Sequence, residues 1–120
     1  MENKEKLLIE EICLLFEQLK ETEKGKIISS GYILPPDNYT YTRIAKNLIG
    51  KAFELSQINS KYDVSGLPSV LNKEIRRVSL HKFEYHPNGK IKSKSENELK
   101  QLMRDATYHI KLYFSEVLGG

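Results

Sequence analysis

The chain has 120 residues, one cysteine and a formal net charge of +3. That is the size of one domain with a core that needs no disulfide, and it is too short for two cores. A single thiol excludes an internal disulfide and a thiolate metal cage, which fits a reducing compartment.

Acidic residues interrupt every apolar run well short of the length that crosses a bilayer, so no membrane partner is expected. The opening MENKEKLLIEE lacks the basic start, long apolar centre and small-residue cleavage site of a secretory signal. A cytoplasmic protein is expected.

Residues 3–24 have the spacing of an amphipathic helix, with Leu8, Ile12, Leu15, Phe16 and Leu19 on one face. Leu7, Ile9 and Cys13 widen the stripe, and Cys13 reads as a small buried hydrophobe. Gly25 is a natural stop, because glycine accepts the left-handed conformation that ends many helices. Residues 25–39, GKIISSGYILPPDNY, combine turn formers with Ile27, Ile28, Tyr32, Ile33 and Leu34. A short strand or a helical turn laid across the core is expected there, with a turn at Asp37–Asn38.

A second helix is expected from Thr40 or Thr42 to Ser56, carrying Ile44, Leu48, Ile49, Ala52 and Phe53. NSKYDVSG reads as a loop. A third helix follows over 67–79, with Pro68 in its first turn and Leu67, Val70, Leu71, Ile75 and Val78 facing inward. Ser69, Asn72, Lys73 and Arg76 project from its other side.

Phe83 and Tyr85 then alternate with Lys82, Glu84 and His86, HPNG makes a tight reversal, and Ile91 continues the inward face. This pattern predicts a short antiparallel hairpin over 81–93. Ser95 and Glu98 have the spacing of a capping box. The last helix runs from there through Leu99, Leu102, Met103, Ala106, Ile110, Tyr113, Phe114 and Val117 to Gly119–Gly120.

The fold class expected is mainly α (or α+β): a compact single domain, 1–120, of three or four helices with one β-hairpin, in the element order of a winged helix. The apolar set of the last helix spreads wide, so Leu102, Ala106, Ile110, Tyr113, Phe114 and Val117 are expected to support a homodimer as well as the core.

Catalytic and metal chemistry find little support. No glycine-rich phosphate loop has the required strand–helix context. His81, His86 and His109 lack metal-ligand spacing, and the paired glutamates lie on charged helix faces. No enzyme activity, cofactor or metal is expected.

Charge placement says more. Residues 1–24 hold seven acidic and four basic residues, whereas 73–94 hold Lys73, Arg76, Arg77, Lys82, Lys90, Lys92 and Lys94 against Glu74 and Glu84 alone. Less than one fifth of the chain therefore carries more than the whole positive excess. The leading expectation is a nucleic-acid-binding protein, for DNA or RNA, using helix 67–79 and the basic segment 81–94. Asn72 and Arg76, with Ser69 on the same exposed face, would meet base edges, Lys73, Lys82, Lys90, Lys92 and Lys94 would position phosphates, and Arg77 belongs to the same basic set. Seven tyrosines add a stacking option, with Tyr39 and Tyr41 the better exposed candidates and Tyr108 and Tyr113 core margin. The alternative is a non-enzymatic protein-interaction module: an assembly subunit, an immunity or inhibitor protein, or a regulatory adaptor. In that reading the lysines keep an exposed hairpin soluble and protect its edges.

Overall fold

A computed structural model describes residues 2–27, 33–34 and 37–119. Four helices account for most of them: α1 Glu2–Lys24, α2 Asn38–Ile58, α3 Leu67–Ser79 and α4 Ser93–Gly119. Two two-residue strands, β1 Lys26–Ile27 and β2 Ile33–Leu34, pair antiparallel with Ile27 opposite Ile33. Residues 28–32 and 35–36, including Tyr32 and the proline pair, lie outside the described residues.

Each helix has a local cause. Gly25 ends α1 at φ 81, with its amide donating to Thr22 O at 3.2 Å. Only glycine enters that region without a Cβ penalty. α2 begins earlier than the apolar spacing predicts, because Asp37 caps it: its carboxylate accepts from Tyr39 N (3.0 Å) and Thr40 N (3.3 Å). Pro68 lies in the first turn of α3, where the missing amide proton costs least.

The link 59–66 between α2 and α3 is tied down rather than loose. Asn59 Oδ1 accepts from Lys61 N, and Asp63 Oδ1 accepts from Ser65 N and Oγ. Tyr62 and Val64 are buried in the core.

The helices pack as an up–down bundle. α1 lies against α2 and α4, and α3 lies against the same two, so α1 and α3 take opposite corners. Leu8, Ile12 and Leu19 of α1 meet Ile44, Leu48 and Leu55 of α2, Leu67, Leu71 and Val78 of α3, and Leu99, Met103, Ile110 and Phe114 of α4 in one core. Phe16 stands edge-on to Phe114 at 5.3 Å. The molecule is elongated, 55 × 31 × 17 Å.

Three expectations are corrected here. The hairpin over 81–93 does not form. Tyr85 and Ile91 make one isolated bridge, and no strand extends from it. The reversal itself is present, with Gly89 at φ 86 and Gly89 N donating to His86 O at 2.9 Å. The returning arm has no room to become a strand, because α4 starts at Ser93 and leaves only residues 90–92. With no wing, the winged-helix comparison and the mixed α+β option both lapse: the fold is a four-helix bundle.

The capping box is also absent. Ser95 lies inside α4, 2% exposed, and its Oγ accepts from Glu84 N at 2.9 Å. The serine therefore fastens the 80–92 connection to the start of α4. Finally, Cys13 is exposed, on the outer side of α1.

Candidate functional site

Helix α3 sorts its side chains by period. Leu67, Leu71, Glu74, Ile75 and Val78 are buried, whereas Ser69, Asn72, Lys73, Arg76 and Arg77 are exposed. Asn72, Lys73, Arg76 and Arg77, together with Leu80, line one shallow concavity on the outer face of this helix. Ser69 is exposed one turn nearer the helix start.

The remaining basic residues sit past the end of α3. Lys82 and Lys90 are exposed in the connection, Lys92 is partly buried beside the start of α4, and Lys94 is exposed in its first turn. They form a second group, placed by the hydrogen bonds of the reversal: His86 N to Lys90 O (2.7 Å) and Lys92 N to Glu84 O (2.8 Å).

None of these seven cations takes part in a salt bridge among the described residues. Lys20, Lys24, Lys51, Lys61 and Lys100 do, but Lys4, Lys6, Arg43, Lys46, Arg104 and Lys111 do not, so it is clustering that sets the seven apart. Arg76 and Arg77 have a local explanation, because they occupy the last turn of α3 and complement its negative end. Lys92 and Lys94 have none. They stand at the positive end of α4, where a cation is unfavourable unless something anionic joins it.

The set expected for self-association lies elsewhere. Ala106, Ile110 and Phe114 are buried in the chain's own core, and Leu102, Tyr113 and Val117 pack partly buried against it. The Tyr113 hydroxyl would stand 2.8 Å from a Cβ added at Gly66, so Gly66 leaves the space that this ring occupies. α4 exposes Tyr108 and Leu112 instead.

Polar side chains inside the bundle form two further groups. Glu74 interrupts the buried stripe of α3, with its side chain 8% exposed, and its Oε1 lies 3.2 Å from His109 Nδ1 on α4. On the other side of α4, the Tyr41 hydroxyl donates to Met103 O (3.0 Å) and meets Thr107 Oγ1 at 2.6 Å. Burial pushes the Tyr41 phenol far above its ordinary range. Burial likewise raises the Glu23 carboxyl, with Thr107 and Arg104 opposing the shift.

Among the histidines, His81 is the enclosed one. Its ring stands edge-on to Phe83 at 5.6 Å, neither nitrogen has a hydrogen-bond partner among the described residues, and Nε2 is 3.9 Å from Glu98 Oε2. No group of three or more metal-ligating side chains occurs among the described residues.

The tyrosines divide differently from expectation. Tyr41 is fully buried, whereas Tyr39, Tyr85 and Tyr108 are 73%, 57% and 62% exposed. The Glu74–His109 pair was missed in the sequence. Its signal is a carboxylate at a position where Leu71 and Val78, one turn away on either side, face the core.

Comparison with protein-family models, curated proteins and solved structures gave no match to this chain. No helix among the described residues is long and apolar enough to cross a membrane.

Proposed function

We propose that the chain binds nucleic acid through the outer face of α3 and the basic connection that follows it. One observation carries the reading: seven cations against two carboxylates fall between residues 73 and 94, on the exposed face of α3 and in the connection that leads into α4, and none of the seven is neutralised by an ion pair among the described residues. Lys92 and Lys94 lie at the positive end of α4, and a phosphate chain gives them a counterion there. Lys73, Arg77, Lys82, Lys90, Lys92 and Lys94 are phosphate contacts in this reading, and Asn72 and Arg76, with Ser69 beside them, are the residues able to meet base edges. The role is binding, with no cofactor.

The test replaces Lys90, Lys92 and Lys94 together by glutamine and measures affinity for a panel of DNA and RNA probes. Weakening by a similar factor on every probe is expected, because phosphate contacts carry no sequence information. Asn72→Ala and Arg76→Ala should instead change the ranking of the probes. Cleavage of an RNA probe that disappears in His109→Ala would replace binding by proton-transfer chemistry at the Glu74–His109 pair.

The protein-interaction reading draws on a different surface. Leu7 and Leu14 are 57% and 62% exposed, seven residues apart on α1, beside the exposed Cys13. Full affinity for nucleic acid in the triple lysine variant would move the functional surface away from the basic connection and toward this helix.

A further inference from the structure

The exposed tyrosines give the proposed nucleic-acid reading a substrate class. Tyr39 is in the first turn of α2, and the residue before it determines where that turn sits. Asn38 Nδ2 donates to His81 O at 3.0 Å and to Val78 O at 3.4 Å, fastening the start of α2 to the end of α3. The 80–92 connection leaves from the same place, and the contacts of His81 with Glu98 and of Glu84 N with Ser95 Oγ bring the start of α4 to it.

Tyr85 opens the reversal in this connection, bridged to Ile91 and flanked in sequence by Lys82 and Lys90. Three main-chain or side-chain bonds hold its platform: Glu84 N to Ser95 Oγ, Lys92 N to Glu84 O and His86 N to Lys90 O. Leu80, 64% exposed, and the two arginines of the last turn of α3 complete this end.

Buried tyrosines in this chain have clear duties. Tyr41 bonds to α4, and Tyr62 donates to Glu5 and anchors the 59–66 link to α1. Tyr39 and Tyr85 have no such bond from their hydroxyls among the described residues, and more than half of each side chain's surface faces water. Aromatic faces held on a fixed backbone beside unpaired cations match what single strands require: stacking for unpaired bases and charge for the backbone. A duplex keeps its base faces covered and offers nothing to these rings.

We infer that the end of the bundle bearing Tyr39 and Tyr85 is a stacking site for single-stranded nucleic acid. This rests on the nucleic-acid reading above, and it names the form of the ligand. The rings supply affinity without sequence preference, and the cations of α3 and the connection follow the phosphates.

The experiment is fluorescence anisotropy with the full chain, using labelled oligo(U), oligo(dT) and a hairpin duplex with the same number of nucleotides. Both single strands should bind more tightly than the duplex. Tyr39→Ala and Tyr85→Ala should each weaken single-strand binding by roughly five- to a hundredfold. Tyr39→Phe and Tyr85→Phe should restore it, because stacking uses the ring and not the hydroxyl. Phe53→Ala should leave it unchanged, since Phe53 is also exposed but lies about 21 Å along α2 from Tyr39. Helicity and melting of each variant are recorded alongside, and both replaced side chains are exposed, so a folded protein is expected. Salt-sensitive binding that favours the duplex, or that ignores both tyrosine-to-alanine changes, overturns the stacking site and leaves the nucleic-acid reading standing. No salt-sensitive binding to any probe overturns both.

Discussion

At the scale of single residues, buried polar groups account for the largest departures from a plain apolar bundle. Glu74 has its side chain in the α3–α4 contact, with the His109 ring nitrogen Nδ1 3.2 Å from its Oε1. Removing the histidine leaves a carboxylate in a site built for a pair, so His109→Ala should destabilise the fold by about 1–3 kcal/mol in urea unfolding. Glu74→Gln removes the charge along with the need for a partner and should cost less. Equal losses in the two variants would show that the pair is not coupled.

Glu23 has a raised carboxyl pKa, caused first by burial. A carboxyl raised in the folded state favours folding when protonated. Its stabilising effect is therefore present below the ordinary carboxylate pKa and is lost as pH rises through the shifted value. Glu23→Gln should raise the melting midpoint at neutral pH and flatten its pH dependence in the acidic range. A lower midpoint at neutral pH would mean that the ionised carboxylate stabilises the bundle. Neither group was legible in the sequence: a glutamate on a charged helix end looks solvated until the neighbouring helix covers it, and Tyr41 and Tyr39 differ only in which side of α2 they occupy.

At the scale of elements, helices were the legible part. Sustained 3.6-residue spacing placed α1, α3 and most of α4, and the inward residues of α3 were named correctly except for Glu74 and the half-buried Val70. Boundaries failed where side chains overrode spacing. Asp37 starts α2 ahead of its first apolar residue, and Asp37→Ala should cost about 1 kcal/mol, read as a lower denaturant midpoint with an unchanged m-value. An unchanged midpoint would mean that the Asn38 bonds to α3 set the start of the helix instead.

The hairpin failed for a reason that alternation cannot reveal. Phe83 packs against the core and the turn forms as its residues require, but Lys92 and Ser93 are claimed by α4 before a second strand can develop. The two short strands that do exist lie in the 25–39 segment, where proline and glycine obscured any alternation.

At the scale of the molecule, charge and shape act together. The acidic α1 and the basic α3 occupy opposite corners of the bundle, so charge of the two signs is separated across the molecule. The basic region was visible in the sequence as a run. Its division into an α3 face and a separate group at the start of α4 required the fold.

Of the stripe expected to support a homodimer, Ala106, Ile110 and Phe114 are buried in the chain's own core, whereas Leu102, Tyr113 and Val117 stay partly exposed. Phe114→Asp puts a charge into this core and should unfold the chain. Tyr108 and Leu112 are a small remainder against the roughly 800 Å² that each partner buries in a standard interface. Sedimentation equilibrium at micromolar concentration should give the mass of one chain. A dimer dissociated by Leu112→Asp would show that this pair is enough to recruit a second copy.

The central claim is that unpaired cations on α3 and the following connection bind phosphates. Its most direct measurement is the dependence of nucleic-acid affinity on salt. The logarithm of the binding constant should fall linearly with the logarithm of salt concentration, with a slope of roughly −0.7 for each phosphate contacted on a single strand. The slope should become shallower when Lys90, Lys92 and Lys94 are replaced. Affinity that does not change with salt, or a slope that survives those replacements together with Lys73, Arg76 and Arg77, would contradict it.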